Sequence, residues 1–470
     1  MPPVGEPTGH GSPADGPGVL DTTARQLLAA TARAQADGRV PSLVAAVVAD
    51  GALAWSAGRG SFDDLGGAAR GHAGADPADV QYRIGSITKT FAAVLVMRLR
   101  DEGRLRLDTP VGDLVPGTPV GDRTVGQLLG HGSGLQAETA GPWWERSAGR
   151  EWPELVGPLG PDAVRHAAGR RFHYSNLGYG ILGRLVEAVR GRAWADCLRE
   201  EVLAPLGMDR TTPDAAAPAA RGTAVHPWAP VTMPEPAPDY RAMAAAGQLW
   251  STAADLGRFG RFLLGDTGGV LAPVTVQEMA EPGLSDGAGG SYGLGLQVET
   301  VDGRRVVGHG GSVPGFLASL LVDPAEQTAA VALANGTAGM DPALVPRLLG
   351  ILRAGEPRVV PAWEPLPNGA SVPLDALGPW FWGPRPQLLV QGPDGLLELR
   401  GLAGASRESR FSPAGPDTWV GLDGYWAGER LVVVRGADGT PASLDVGSFT
   451  LTRTPYEPGP TPGGVETGWA

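Results

Sequence analysis

Arg83-Ile84-Gly85-Ser86-Ile87-Thr88-Lys89-Thr90, continuing into Phe91-Ala92-Ala93-Val94-Leu95-Val96-Met97-Arg98-Leu99, sets a serine after a glycine, a lysine three residues later and an apolar run behind them. The spacing predicts a buried helix that opens at Ser86, ends near Glu102 and has Gly103 just past its end. Positions i and i+3 share a helix face, so Ser86 and Lys89 become neighbours. A serine hydroxyl is a weak nucleophile until a base takes its proton. A lysine in apolar surroundings loses part of its preference for charge and can be that base. The helix N-terminus adds N–H groups and positive potential where an oxyanion would form. The same residues also suit a serine that merely caps the helix and a solvated lysine, so other parts of the chain have to decide.

The 470 residues are enough for two or three domains with substantial cores. A chain that is 42 % hydrophobic and 19 % charged is expected to be mostly globular. The net charge of −12 argues against a nucleic-acid partner, which would need a basic face. A single cysteine, Cys197, excludes an internal disulfide and falls in a helical pattern, where it reads as a small core residue. The histidines are scattered, with no His-x-x-x-His or Cys-x-x-Cys spacing, so neither a metal nor a cofactor is expected. The first residues show no basic stretch leading into an apolar one, and no apolar run reaches about 18 residues. The expectation is a cytoplasmic protein without a signal peptide or membrane span.

Residues 1–18 are Gly/Pro-rich and are expected to be disordered. Asp21 caps a first predicted helix, and two apolar runs around Asp50-Gly51 predict a β-hairpin. Residues 142–170, with Trp143, Trp144 and Trp152, form an irregular insertion suited to lining a pocket, as does the Pro/Ala-rich excursion 213–240. Phe172-His173-Tyr174-Ser175-Asn176 opens another apolar helix, and a further one runs from Trp194 to Leu203. Ser251 or Thr252 caps a helix bearing Leu256, Phe259, Phe262 and Leu263. Strands are predicted over 291–298, 305–309, 316–322 and 329–334, before a helix over 342–354. This order predicts one α/β catalytic domain over 19–355, whose antiparallel sheet takes strands from both ends. A Pro-rich linker follows over 356–374. Short apolar segments separated by Asp-Gly turns then predict a small all-β, barrel-like domain over 375–456, with a flexible tail at 457–470. Trp380, Trp382, Trp419 and Trp426 are expected to fill its core.

Three blocks line up in order: Ser86-Ile87-Thr88-Lys89, Tyr174-Ser175-Asn176 and His309-Gly310-Gly311. This arrangement resembles the serine β-lactamase and penicillin-binding-protein superfamily, in its class C β-lactamase, D-peptidase and esterase branch. The resemblance covers roughly residues 20–355. His131-Gly132-Ser133-Gly134-Leu135, Leu206-Gly207-Met208, Ala246-Gly247-Gln248-Leu249 and Tyr292-Gly293-Leu294-Gly295 match the same branch. The resemblance implies a transpeptidase-like antiparallel sheet with flanking helices and a helical subdomain, and a lipocalin-like barrel for the C-terminal domain. It implies that Ser86 is the acylated nucleophile and that Lys89 holds its proton network. Tyr174 would be the base or the relay to the leaving group, with a phenol pKa lowered by nearby cations. Asn176 would hold the substrate's amide or the lysine. Whether Lys89 or Tyr174 takes the proton stays open at this point.

The third block departs from the β-lactamase pattern Lys-Thr-Gly. An edge strand carrying His309-Gly310-Gly311-Ser312 would still line the substrate and supply the Ser312 N–H, which with that of Ser86 would form an oxyanion hole; one such donor is worth about 3 kcal/mol. A fixed lysine charge is lost, since His309 is charged only at lower pH, so efficient β-lactam hydrolysis is not expected. His131 reads as a structural turn residue, His173 and Tyr179 as packing residues, and Ser133 lacks an adjacent base. The expected activity is hydrolysis of an ester, amide or D-amino-acid peptide through an acyl-enzyme, the partner being a small-molecule or peptide substrate. Acyl transfer to an amine, as in peptide-cyclising thioesterases, is the alternative, and a non-catalytic acyl-binding sensor is the third reading.

Overall fold

A computed structural model describes residues 18–62, 75–358, 362–365, 373–392, 395–402 and 407–455. The expected disordered N-terminus (Gly18 apart), the C-terminal tail, and positions 359–361 and 366–372 of the Pro-rich linker lie outside the described residues. The chain divides into two compact units, Met1–Arg358 and Val359–Ala470.

The first unit is built on β1 (Ser42–Ala49) and β2 (Ala52–Gly60), the hairpin around Asp50-Gly51. Four more strands complete its centre: β3 (Gln297–Val301), β4 (Arg304–Val313), β5 (Phe316–Asp323) and β6 (Thr328–Ala334). The sheet order is β2-β1-β6-β5-β4-β3, extended by the two-residue strands Ser291–Tyr292 and Leu284–Ser285, with every pairing antiparallel. Pairing of Leu43 with Ala334 thus joins the two ends of the unit, as the order of predicted elements required.

Side chains alternate across each strand, and both faces of this sheet are covered. Val44, Ala46 and Val48 enter one core with α2 (Thr88–Asp101), α3 (Asn176–Arg190) and α4 (Ala253–Leu263). Leu43, Ala45 and Val47 enter a second core with α1 (Asp21–Asp37) and α5 (Leu344–Gly355). A helix that sits inside a core must be apolar nearly all round, and α2 is: every residue from Thr88 to Met97 is buried. Phe91 stacks on Phe259 of α4 with ring centroids 3.9 Å apart. Thr252 caps α4 by accepting the Asp255 N–H, as predicted, whereas Asp21 is the first helical residue of α1 rather than its cap.

Two local expectations are corrected. The strand expected over 291–298 is broken after Tyr292 and resumes at Gln297. Gly295 turns the chain there at φ +86°, and a Cβ on it would lie 2.2 Å from that of Ala93, so the bend passes close against the buried helix where only glycine fits. Ser86 lies in a 3-10 turn, Gly85–Ile87, ahead of the α-helix proper.

The second unit is a closed antiparallel barrel of eight strands, Gly378–Trp382, Arg385–Gln391, Leu397–Gly401, Ser409–Gly415, Thr418–Gly421, Arg430–Arg435, Pro441–Val446 and Phe449–Thr452. Closure comes from the pair Phe381 with Thr452. Inward positions such as Leu389, Leu399, Phe411, Leu431 and Leu444 fill it. Trp380, Trp419 and Trp426 join that core, but Trp382 does not: it is 38 % exposed, on the last position of its strand, with the Arg407 guanidinium 5.1 Å from its ring.

Candidate active site

From Val80 to Met97 every residue is buried except Ser86. The 3-10 turn at the head of α2 therefore presents one hydroxyl outward from an otherwise sealed segment. Lys89, one turn further on, is fully buried and donates to Ser86 Oγ at 2.9 Å and to the Ala246 carbonyl at 2.7 Å. Burial lowers its ammonium pKa to about 7, against the opposing pull of Glu138 and Glu145. The lysine is thus close to half neutral near pH 7.

Tyr174 arrives from the irregular segment before α3. Its phenol interacts with the Ser86 side chain, and Lys89 Nζ lies 5.1 Å from its ring centroid. The expectation that cations would lower this phenol is corrected: loss of solvent around the hydroxyl raises its pKa, and the bond from Ser86 offsets only part of that. Tyr174 is therefore a protonated phenol across the neutral range. Asn176, the first residue of α3, gives its Nδ2 to Glu138 Oε1 at 2.7 Å.

His309, Gly310, Gly311 and Ser312 follow one another on β4. This strand pairs with β5 from Val307 to Val313 but with β3 only from Arg304 to Gly308. The segment beyond Gly308 is thus an edge although β4 lies inside the sheet. Gly310 gives its N–H to the Gln297 side chain at 2.8 Å on that open side. Alternation along the strand points the Ser312 N–H the same way. The Ser86 turn packs directly on this edge: a Cβ on Gly311 would lie 1.9 Å from the Ile84 carbonyl oxygen and 3.2 Å from the Ser86 nitrogen. A Cβ on Gly85, at φ +50°, would lie 2.8 Å from the Ser312 nitrogen. His309 is buried behind the edge, with Nε2 2.9 Å from the Tyr292 hydroxyl and Nδ1 2.5 Å from the Gly310 carbonyl. Burial, then Lys89, lowers its pKa to about 3, so it is neutral.

Sequence reasoning passed over two carboxylates. Glu138 is exposed, and its two oxygens accept from Asn176 and from Trp144 Nε1, the latter at 2.6 Å. Glu145 accepts from Trp143 Nε1 at 2.8 Å; partial burial raises its pKa, and Glu138 adds to the rise. The available signal was a glutamate just before the tryptophan-rich insertion and another inside it. A pocket of about 70 Å³ lined by Pro142, Trp144, Leu155, Tyr240 and Met243 joins that insertion to the end of the 213–240 excursion. Among the described residues no group of three or more His, Cys, Asp or Glu side chains could hold a metal ion, and no helix is long and apolar enough to cross a membrane.

The sequence model of the family described as Beta-lactamase matches residues 20–352. The chain belongs to the beta-lactamase family. Members of this beta-lactamase family are serine hydrolases, and so is this chain. Residues 370–453 match a second model, a domain family of unknown function. Penicillin-binding protein 4 of Amycolatopsis lactamdurans is 32 % identical over 297 residues, which is 57 % of this chain and 75 % of that protein. A beta-lactamase-family fold of the same kind is seen in a D-stereospecific amidohydrolase from Streptomyces sp., 27 % identical with a TM-score of 0.56 over 72 % of this chain and 99 % of the other. The octameric penicillin-binding protein homologue from Pyrococcus abyssi aligns over 92 % of this chain and 100 % of its own, with a TM-score of 0.63. At 22 % identity that likeness is one of fold.

Proposed function

We propose that the protein cleaves amides of amino acids or short peptides bearing a free amino group, through an acyl-enzyme on Ser86. The reading is carried by one observation: a buried lysine with a pKa of about 7 placed 2.9 Å from the hydroxyl of Ser86, the one residue of its segment that is not buried. Ser86 Oγ attacks the substrate carbonyl carbon while Lys89 Nζ takes its proton. The N–H groups of Ser86 and Ser312 hold the resulting oxyanion, with Gly310 and Gly311 lining the substrate. Collapse breaks the C–N bond; the leaving amine takes the Tyr174 proton, which Lys89 replaces. Water then repeats the sequence on the acyl-enzyme. His309 backs the Ser312 edge as a neutral group, and Asn176 fixes Glu138. Two carboxylates beside a lysine that is half neutral make the site's mouth negative, which favours a substrate ammonium. The likeness to a D-stereospecific amidohydrolase supports the D series.

A panel of D- and L-amino-acid anilides, each with a free or an acetylated amine, tests this. The free-amine D compounds should turn over fastest and leave an acyl group on the Ser86 peptide in a quenched digest. Turnover that survives blocking of Ser86 by a fluorophosphonate would end the proposal; a cyclic or amine-transfer product would move it to the acyltransferase alternative. The pH dependence separates the two candidate bases. Burial lowers the Lys89 pKa, so its neutral, proton-accepting form grows as pH rises through about 7 and is complete by about 8. With an ester substrate that does not titrate, kcat/KM should rise over that window and then level. A rise continuing to pH 10 would mean that the Tyr174 phenolate is the base.

A further inference from the structure

Tyr174 stands in a segment, 172–175, that has no secondary structure of its own to hold it. Part of what holds it comes from one residue more than forty positions earlier, beside the Leu135 and Gln136 carbonyls, which accept from His173 Nδ1 and Ser175 Oγ. The His131 carbonyl accepts the His173 N–H at 2.9 Å, and His131 Nδ1 accepts the Ser175 N–H at 3.0 Å. Both chain neighbours of Tyr174 are thus tied to the same residue. The His131 imidazole also lies against the Tyr174 ring, with centroids 4.1 Å apart and planes at 33°.

We propose that His131 is a positioning residue that sets the place and tilt of the Tyr174 phenol. The inference rests on the reading of Tyr174 as the proton relay. Two costs argue that the imidazole does more than complete a turn. His131 adopts φ +54°, a conformation glycine takes without strain. Its ring is completely buried, and Nε2 has no hydrogen-bond partner among the described residues. Because Nδ1 accepts an N–H, the proton of the neutral ring sits on that unpartnered Nε2. Burial, then the charge of Lys89, keeps the ring neutral. A glycine would avoid both costs, and an alanine the second, but either would leave the His131 acceptor missing from the Ser175 N–H and the phenol without a floor.

The test compares His131→Phe, which keeps a ring face but loses the acceptor, with His131→Asn, whose amide oxygen can take the Nδ1 position. Each is made with Tyr174 and with Tyr174→Phe, and kcat, KM and the rate of Ser86 labelling by a fluorophosphonate are measured. His131→Phe should lower kcat on an amide about 10²-fold with little change in KM, the scale of an ångström's misplacement, while labelling, whose fluoride leaving group needs no proton from Tyr174, should change far less. His131→Asn should recover most of that loss. In the Tyr174→Phe background His131→Phe should cost almost nothing more, because the group it places is gone. Equal losses in both backgrounds would overturn the proposal in favour of a general structural role. A wild-type kcat for His131→Phe beside an impaired Tyr174→Phe would overturn it alone, whereas a wild-type kcat for Tyr174→Phe would overturn the relay reading itself. Should His131→Phe fail to fold, His131→Asn against His131→Gln decides: the longer side chain misses the Ser175 N–H, and equal kcat for the pair would overturn the proposal.

Discussion

Ser86→Ala is expected to lower turnover by at least about 10⁴-fold, the scale seen when a nucleophile that works as part of a set is removed. The change deletes one oxygen from the single position between Val80 and Met97 that is not buried and removes no apolar packing. Lys89 keeps its bond to the Ala246 carbonyl, so the buried amine retains a partner. The folded state should therefore be nearly as stable as that of the unmodified protein, and a thermal melt checks this beside the kinetics. Residual activity would come from water attacking a substrate held by the oxyanion donors. A folded Ser86→Ala protein that still hydrolyses a chromogenic ester at the original rate would remove Ser86 from the mechanism.

Gly311→Ala is the second large effect, and it involves no reactive side chain. The methyl group would need the space of the Ile84 carbonyl oxygen, 1.9 Å away, and would press on the Ser86 nitrogen. Contacts that short force the strand and the turn apart. The two N–H groups proposed for the oxyanion then spread, and the loss of one such donor costs about 10²–10³ in kcat. The expected outcome is a loss on that scale with KM little changed, and an equally slowed reaction with a fluorophosphonate, which makes the same demand on the donors. Gly310→Ala is the internal comparison. A Cβ there meets nothing nearer than 3.8 Å, so its loss should be far smaller. Equal effects from the two substitutions would show that the close approach of Gly311 is unimportant.

The sequence made some of this legible because the information was local. Helical spacing brought Ser86 to Lys89, and the antiparallel sheet with strands from both ends followed from the order of apolar segments. Turn signals at regular intervals announced an all-β second unit. What escaped depends on groups brought together from afar. The Ala246 carbonyl that holds Lys89 belongs to a turn 157 residues away, and no side-chain pattern announces a carbonyl. Glu138 and Glu145 lie in a loop without periodicity, so nothing distinguished them from solvated acids. The Tyr174 phenol was expected to be acidified because cations were counted and burial was not; at this site the loss of water dominates. His131 looked like a turn residue, and it is one, but its bonds to the neighbours of Tyr174 exist only in three dimensions. Trp382 shares the apolar character of Trp380 yet stays partly exposed, since two residues further along a short strand is already its end.

The closure of the barrel by the single pair Phe381 and Thr452 has a consequence of its own. The other ladders of this ring hold three to five pairs each. The clasp is thus the weakest seam in the wall, and it joins the first strand to the last, so loop-closure entropy opposes it most. Opening it bares two strand flanks at once, each a template for a second polypeptide. Deleting 449–452 would leave the flanks of the first and seventh strands permanently bare, and concentration-dependent self-association in a sedimentation experiment is the expected sign that the ring had guarded against it.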